Sequence, residues 1–194
     1  MAEASPETNP AQFPSREARL GYYIDSYNAL AMYNVVDFGL PERLSLADWV
    51  RFFKLREFRI GRRNISLYDY ENDVIRPLGD ARIHFALNCM AVSCPRLPRE
   101  PFSAGDLNRK LDAETAFFFS EPRNLQVDHQ ARVVRVSEIL KFYTEDFLRR
   151  EPTLIAYINR YRTEKIPEGY KVEFIEYDWT INHQPRSRRI AAAE

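Results

Sequence analysis

The chain has 194 residues, of which 45% are hydrophobic and 13% aromatic, and its formal charges cancel to zero. That is enough apolar surface for the core of one compact domain, and the balanced charge gives no global attraction to nucleic acid or to an anionic membrane. No run of about 18 apolar residues occurs, which excludes a membrane-crossing helix, and two cysteines allow at most one bridge rather than a disulfide framework.

Residues 1–14 are rich in Pro, Ala, Ser and Glu and read as a flexible arm. They lack the basic and apolar regions of a secretory signal, so the chain reads as cytoplasmic, or as exported if a signal has been removed. From Ser15, the residues Leu20, Ile24, Tyr27, Ala31, Val35 and Phe38 recur at helical spacing, and Gly39 and Pro41 supply a stop. Three segments then open with Ser and carry Asp three residues later: Ser45/Asp48, Ser66/Asp69 and Ser103/Asp106. Each predicts a capped helix start, because the hydroxyl accepts from an orphan amide and the acid sits at the positive helix end. Ser137 is expected to cap another helix over "EILKFYTEDFL", and Pro152 to sit in the first turn of "TLIAYINRYR".

Strands are expected between the helices. "EFRI" and "NIS" flank the turn "GRR", "NLQVD" and "RVVRVS" flank "HQA", and "YKVEFIEYDW" is rich in aromatic and β-branched residues. This mixture without βαβ regularity predicts an α+β fold, one domain over residues 15–183 with several helices on a small, mostly antiparallel sheet, and a flexible tail over 184–194.

The stretch "RIHFALNCMAVSCPRLP" gathers His84, Cys89 and Cys94 within eleven positions. Alternation favours a strand for "RIHFALNC", with His84 and Asn88 on one face, although helical spacing also puts those two together. Four readings stand side by side: a nucleophilic thiol served by a histidine base, a metal site with His183 as a further ligand, a redox pair, and inert buried cysteines. The C-x4-C spacing matches neither a zinc pattern nor the C-x-x-C redox motif.

Taken together, "YYIDSYNAL" (22–30), "FRIGRRNISLYDYENDVIRP" (58–77), "DARIHFALNCMAVSCPRL" (80–97), "VSEILKFYTEDF" (136–147) and "VEFIEYDWTIN" (172–182) resemble the family known as domain of unknown function 547. The resemblance implies no settled activity. Its pattern falls on Asn28, Glu71, His84, Cys89, Cys94, Tyr143, Asp178, Trp179 and Asn182, and departs at Tyr23-Ile24-Asp25, where the family usually has Trp-Ile-Asn. By looser analogy the helix, histidine and late Asp or Asn suggest a distant papain-like or transglutaminase-like arrangement.

The expected site therefore has His84, Cys94 and Cys89 as catalytic groups and Asn28, Glu71, Asp178 and Asn182 as substrate-binding groups. Glu71 can instead pair with Arg62, Arg63 or Arg76, and His129 reads as an exposed turn residue. The leading reading is thiol-dependent chemistry on an amide or peptide-like substrate, needing no metal and no cofactor. A non-catalytic binding or scaffold module with structural cysteines, or a His/Cys metal site, stand as alternatives. The partner is a small molecule or peptide; neither nucleic acid nor membrane insertion is expected, and oligomeric state is not legible.

Overall fold

A computed structural model describes residues 1, 3–39 and 43–182. Ser15 caps the long helix α1 (Arg16–Phe38) by accepting from the Ala18 amide, with Glu17 in the first turn. The stripe Leu20, Ile24, Tyr27, Ala31 and Val35 is buried, and Gly39 ends the helix at φ 71°, where a side chain would be strained. Ser45 and Asp48 close both halves of a capping box on α2 (Leu46–Val50), which runs on as a π turn over Arg51–Leu55. Strands β1 (Glu57–Ile60) and β2 (Arg63–Ser66) form the expected hairpin.

Ser66 then caps α3 (Leu67–Asp69), which continues as a π turn over Tyr70–Ile75 and a 3-10 turn over Arg76–Leu78. The wider turn brings Tyr70, Glu71 and Ile75 inward together. Next come α4 (Leu107–Ser120), the antiparallel strands β3 (Leu125–Asp128) and β4 (Val133–Ser137), and short helices α5 (Ile139–Phe142), α6 (Thr144–Leu148) and α7 (Leu154–Asn159). Strand β5 (Lys171–Ile175) pairs parallel to β4, and α5 to α7 form the crossover that a parallel pair requires. The described residues thus form an α+β fold with a two-stranded hairpin and a sheet ordered β3-β4-β5.

Several local expectations need correction. "RIHFALNC" is not a strand: Ala81–Phe85 is a 3-10 turn, capped by the Asp80 side chain accepting from the Arg82 amide. Alternation misleads there because Ile83, His84, Phe85, Leu87 and Asn88 are all buried, leaving no solvent face to set the period. Ser103 bonds Asp106 at 2.6 Å within a turn, and α4 begins only after Asp106. "EILKFYTEDFL" breaks into α5 and α6 at Tyr143, whose backbone leaves helical geometry at φ −122°. Thr153, rather than Pro152, marks the start of α7 because its hydroxyl accepts from the Ala156 amide.

Before α1, the Met1 carbonyl accepts from Gly61 and Glu7 accepts from the Tyr23 hydroxyl at 2.9 Å, so this stretch reaches both the first hairpin and α1. The expected tail 184–194 and His183 lie outside the described residues.

The buried side chains fall into two cores. One gathers around α1, α3 and the first hairpin, and the other around β3–β5, α4 and the crossover helices. The cysteine segment lies at their seam: Ile83, Ala86 and Leu87 belong to the first core, Phe85, Ala91 and Cys94 to the second, and Cys89 packs against both.

Candidate functional site

The seam is held by side chains that take the place of a neighbouring strand. Asn28 on α1 donates through Nδ2 to the Ala86 carbonyl at 2.9 Å and accepts the Asn88 amide on Oδ1 at 2.8 Å. Asn88 in turn donates to the Pro95 carbonyl at 2.6 Å and accepts the Met90 amide at 2.6 Å, closing the loop across its own base. Met90 sits at φ 69°, a conformation uncommon for a residue with a side chain. Outside the loop, Met90 and Val92 bond the backbones of Asn182 and Thr180. Within it, Cys89 and Cys94 are joined as a disulfide, and the Tyr177 hydroxyl lies 3.3 Å from Cys89 Sγ and 3.1 Å from Cys94 Sγ.

A cleft of about 360 Å³ opens over this loop, within the size range of small-molecule sites. Its wall includes Glu71, Arg76, His84, Cys89 and Cys94 among aromatic rings. His84 is 3% exposed, and its ring stacks on Tyr143 with centres 3.8 Å apart. Nε2 lies 2.8 Å from Asp146 Oδ2, and Nδ1 lies 3.9 Å from Glu71 Oε1. Arg76 bonds the same Asp146 oxygen at 2.7 Å. Burial pulls the Asp146 carboxyl up, but the bonds from His84 and Arg76 outweigh it and hold the group well below the ordinary carboxylate range. Asp146 is therefore ionised, and His84 donates its Nε2 proton to it.

Glu71 accepts from the Tyr27 hydroxyl at 3.2 Å. Burial first, and the Glu71 charge second, push the Tyr27, Tyr143 and Tyr177 phenols up from their ordinary value. These phenols stay protonated as donors. An Asp-oriented imidazole whose second nitrogen faces a cleft carboxylate can pass a proton to or from a bound molecule. The sulfurs, being bonded to one another, are not nucleophiles in this state.

Of the residues singled out from sequence, His84, Cys89, Cys94 and Glu71 line this cleft. Asn28 lies behind it, with its amide committed to the loop backbone. Asp178 and Asn182 are exposed and are not part of its wall; Asp178 accepts from the Thr180 amide. Glu71 does not take Arg76 as its ion-pair partner, since that guanidinium is bound to Asp146. His129 is at the expected hairpin turn, 3.1 Å from the Tyr170 hydroxyl. Sequence reasoning missed Asp146, 62 residues from His84, and Tyr177, because no spacing links them to the cysteine loop. Their occurrence inside or beside resembling segments was the one usable signal. Among the described residues, no group of three or more His, Cys, Asp or Glu side chains could hold a metal ion, and no helix is long and apolar enough to cross a membrane.

Fold and cleft together define an α+β domain whose cleft wall carries a disulfide and a histidine bonded to one carboxylate and facing another. The chain belongs to the family described as Protein of unknown function, DUF547, whose model matches residues 11–119. That span carries Glu71, His84 and both cysteines; Tyr143, Asp146, Tyr177 and Trp179 lie beyond it. No curated protein and no solved structure matches the chain, so the papain-like analogy gains no support from them.

Proposed function

We propose that the cleft is a catalytic site acting on an amide or peptide-like substrate, with His84 as proton carrier, Asp146 as its positioning partner and a cysteine thiol as nucleophile. The observation that carries this reading is the convergence of His84, Glu71, Cys89 and Cys94 in the wall of one cleft. The chemistry begins with an external dithiol, which gives up two electrons and two protons as the Cys89–Cys94 bond opens to two thiols. One thiol, losing its proton to His84, attacks the substrate carbonyl; the C–N bond breaks, the leaving amine takes that proton, and an acyl thioester remains. Water then cleaves the thioester and restores the thiol.

A second reading is favoured by a different observation. Both ring nitrogens of His84 face carboxylates, and both sulfurs are bonded and lie against one phenol. On that reading the domain binds without catalysis, and the cysteines shape the loop.

One measurement separates the two. The protein is reduced, and iodoacetamide alkylation of each cysteine is followed against pH in the wild type and in His84→Gln. Catalysis requires one thiol to react near neutral pH faster than a free model thiol and to slow in the variant. Two thiols that behave like the model compound, in a folded protein, leave the binding module.

A further inference from the structure

Glu71 is only 9% exposed, yet among the described residues no Lys or Arg side chain bonds it directly. The Tyr27 hydroxyl donates to Oε2, the Tyr143 hydroxyl also interacts with the carboxylate, and the His84 nitrogen at 3.9 Å is beyond hydrogen-bond reach. Among the described residues, Arg76 is the one Lys or Arg in the cleft wall, and it is committed to Asp146 at 2.7 Å and Asn72 at 2.5 Å. The cationic side chain whose charge reaches Glu71, Arg76, is shared with Asp146, so an arriving ammonium would give this largely buried carboxylate a partner of its own. The same cleft is lined by the rings of Trp49, Phe53, Tyr68 and Trp179, packed edge to face or tilted, with Trp49 5.2 Å from Phe53 and 6.5 Å from Trp179. Two of these rings already attract a cation, for exposed Lys54 places its ammonium 4.2 Å from the centre of Tyr68 and 5.7 Å from that of Trp49. With the Tyr27 and Tyr143 hydroxyls on the carboxylate, the two-oxygen seat preferred by a guanidinium is not free, whereas an ammonium can approach one oxygen from the side of the ring faces.

We propose that the cleft recognises a primary ammonium on an aliphatic stem, with Glu71 as its counter-charge and Trp49, Phe53, Tyr68 and Trp179 as its walls. This names a feature of the substrate and rests on the reading that the cleft is the functional site. A free diamine and a lysine side chain share that chemistry.

The test is calorimetric titration of the oxidised protein, disulfide closed, with 1,5-diaminopentane, with Nα-acetyl-lysine methylamide, and with the neutral Nε-acetylated form of the latter. Binding of either amine, with no binding of the neutral form and a loss of about tenfold or more in Glu71→Gln, supports the proposal. The stronger amine identifies the source. Tyr68→Leu, at the half-exposed rim, should cost about threefold and serves if Glu71→Gln fails to fold. Equal binding of the neutral form, undiminished affinity in a folded Glu71→Gln or in Tyr68→Leu, or no binding of either amine overturns it. Since no thiol takes part, amine binding can hold while the alkylation test fails, and the reverse.

Discussion

Asn28 accepts the backbone amide of Asn88 at 2.8 Å while donating to the Ala86 carbonyl at 2.9 Å, so one helix side chain pairs with the loop as an adjacent strand would. All of these groups are buried, and losing the amide leaves a backbone donor and a backbone acceptor without partners. Asn28→Ala should therefore cost about 3 kcal/mol, well above an ordinary surface change. Urea denaturation measures it, and a loss under about 1 kcal/mol would show that the loop finds other partners. Asn28→Asp should be worse than its size implies, because it removes the donor and sets a carboxylate against the Ala86 oxygen.

Asp146 on α6 ties the crossover to the turns over 76–85 by receiving both His84 and Arg76. Its folded-state acidity is stronger than that of the unfolded chain, so the stability it supplies is present above about pH 4 and is lost as pH falls toward its folded value. Asp146→Asn should cost about 3 kcal/mol at neutral pH by leaving Arg76 and His84 short of a charge partner. It should also flatten the acid limb of the stability curve. Thermal unfolding of both proteins from pH 7 to pH 2 checks this, and parallel curves would refute the linkage.

How legible this was depended on distance along the chain. The apolar stripe of α1 and the Ser45 and Ser66 caps rest on contacts three or four residues apart, and both hairpins rest on alternation around short turns. The His84–Asp146 contact spans 62 residues and the Cys94–Tyr177 contact 83, and such convergence leaves no period to read. The π turn that carries Glu71 was hidden too, since its residues read as ordinary helix. Glu71, His84 and the cysteines were nevertheless singled out and do meet, whereas Asp178 and Asn182 reach the cysteine loop by backbone bonds rather than by side chains.

Asp25, on α1, sits where the resemblance predicts an asparagine. Its carboxylate accepts the Phe102 amide at 2.9 Å, yet burial outweighs that bond and the charge of Lys110, and pushes its pKa up to about 6. Because the folded chain holds this proton more tightly than the unfolded one, the contribution is favourable below about pH 4 and lost as pH rises to about 6. Asp25→Asn keeps an acceptor for Phe102 and removes the charge. It should stabilise the protein at pH 7 by about 1 kcal/mol, a figure reduced because the side chain is partly in water. Chemical denaturation at pH 4 and pH 7 should show the gain at the higher pH alone; an equal gain at both would assign it to packing.

The Cys89–Cys94 bond closes a loop with a sequence separation of 5, so its effect on the unfolded chain is modest. Loop-closure entropy for so short a ring amounts to about 2 kcal/mol. Reduction, or the double change Cys89→Ser with Cys94→Ser, should lower stability by about that amount without abolishing the fold, because Asn28, Asn88 and the 178–182 backbone brace the same loop independently. Tyr177→Phe removes only the hydroxyl beside the sulfurs, and should cost about 1 kcal/mol in the oxidised protein. Urea midpoints with and without a phosphine reductant measure both effects. Global unfolding on reduction at room temperature would mean that the bond, rather than the asparagine clamp, carries the loop.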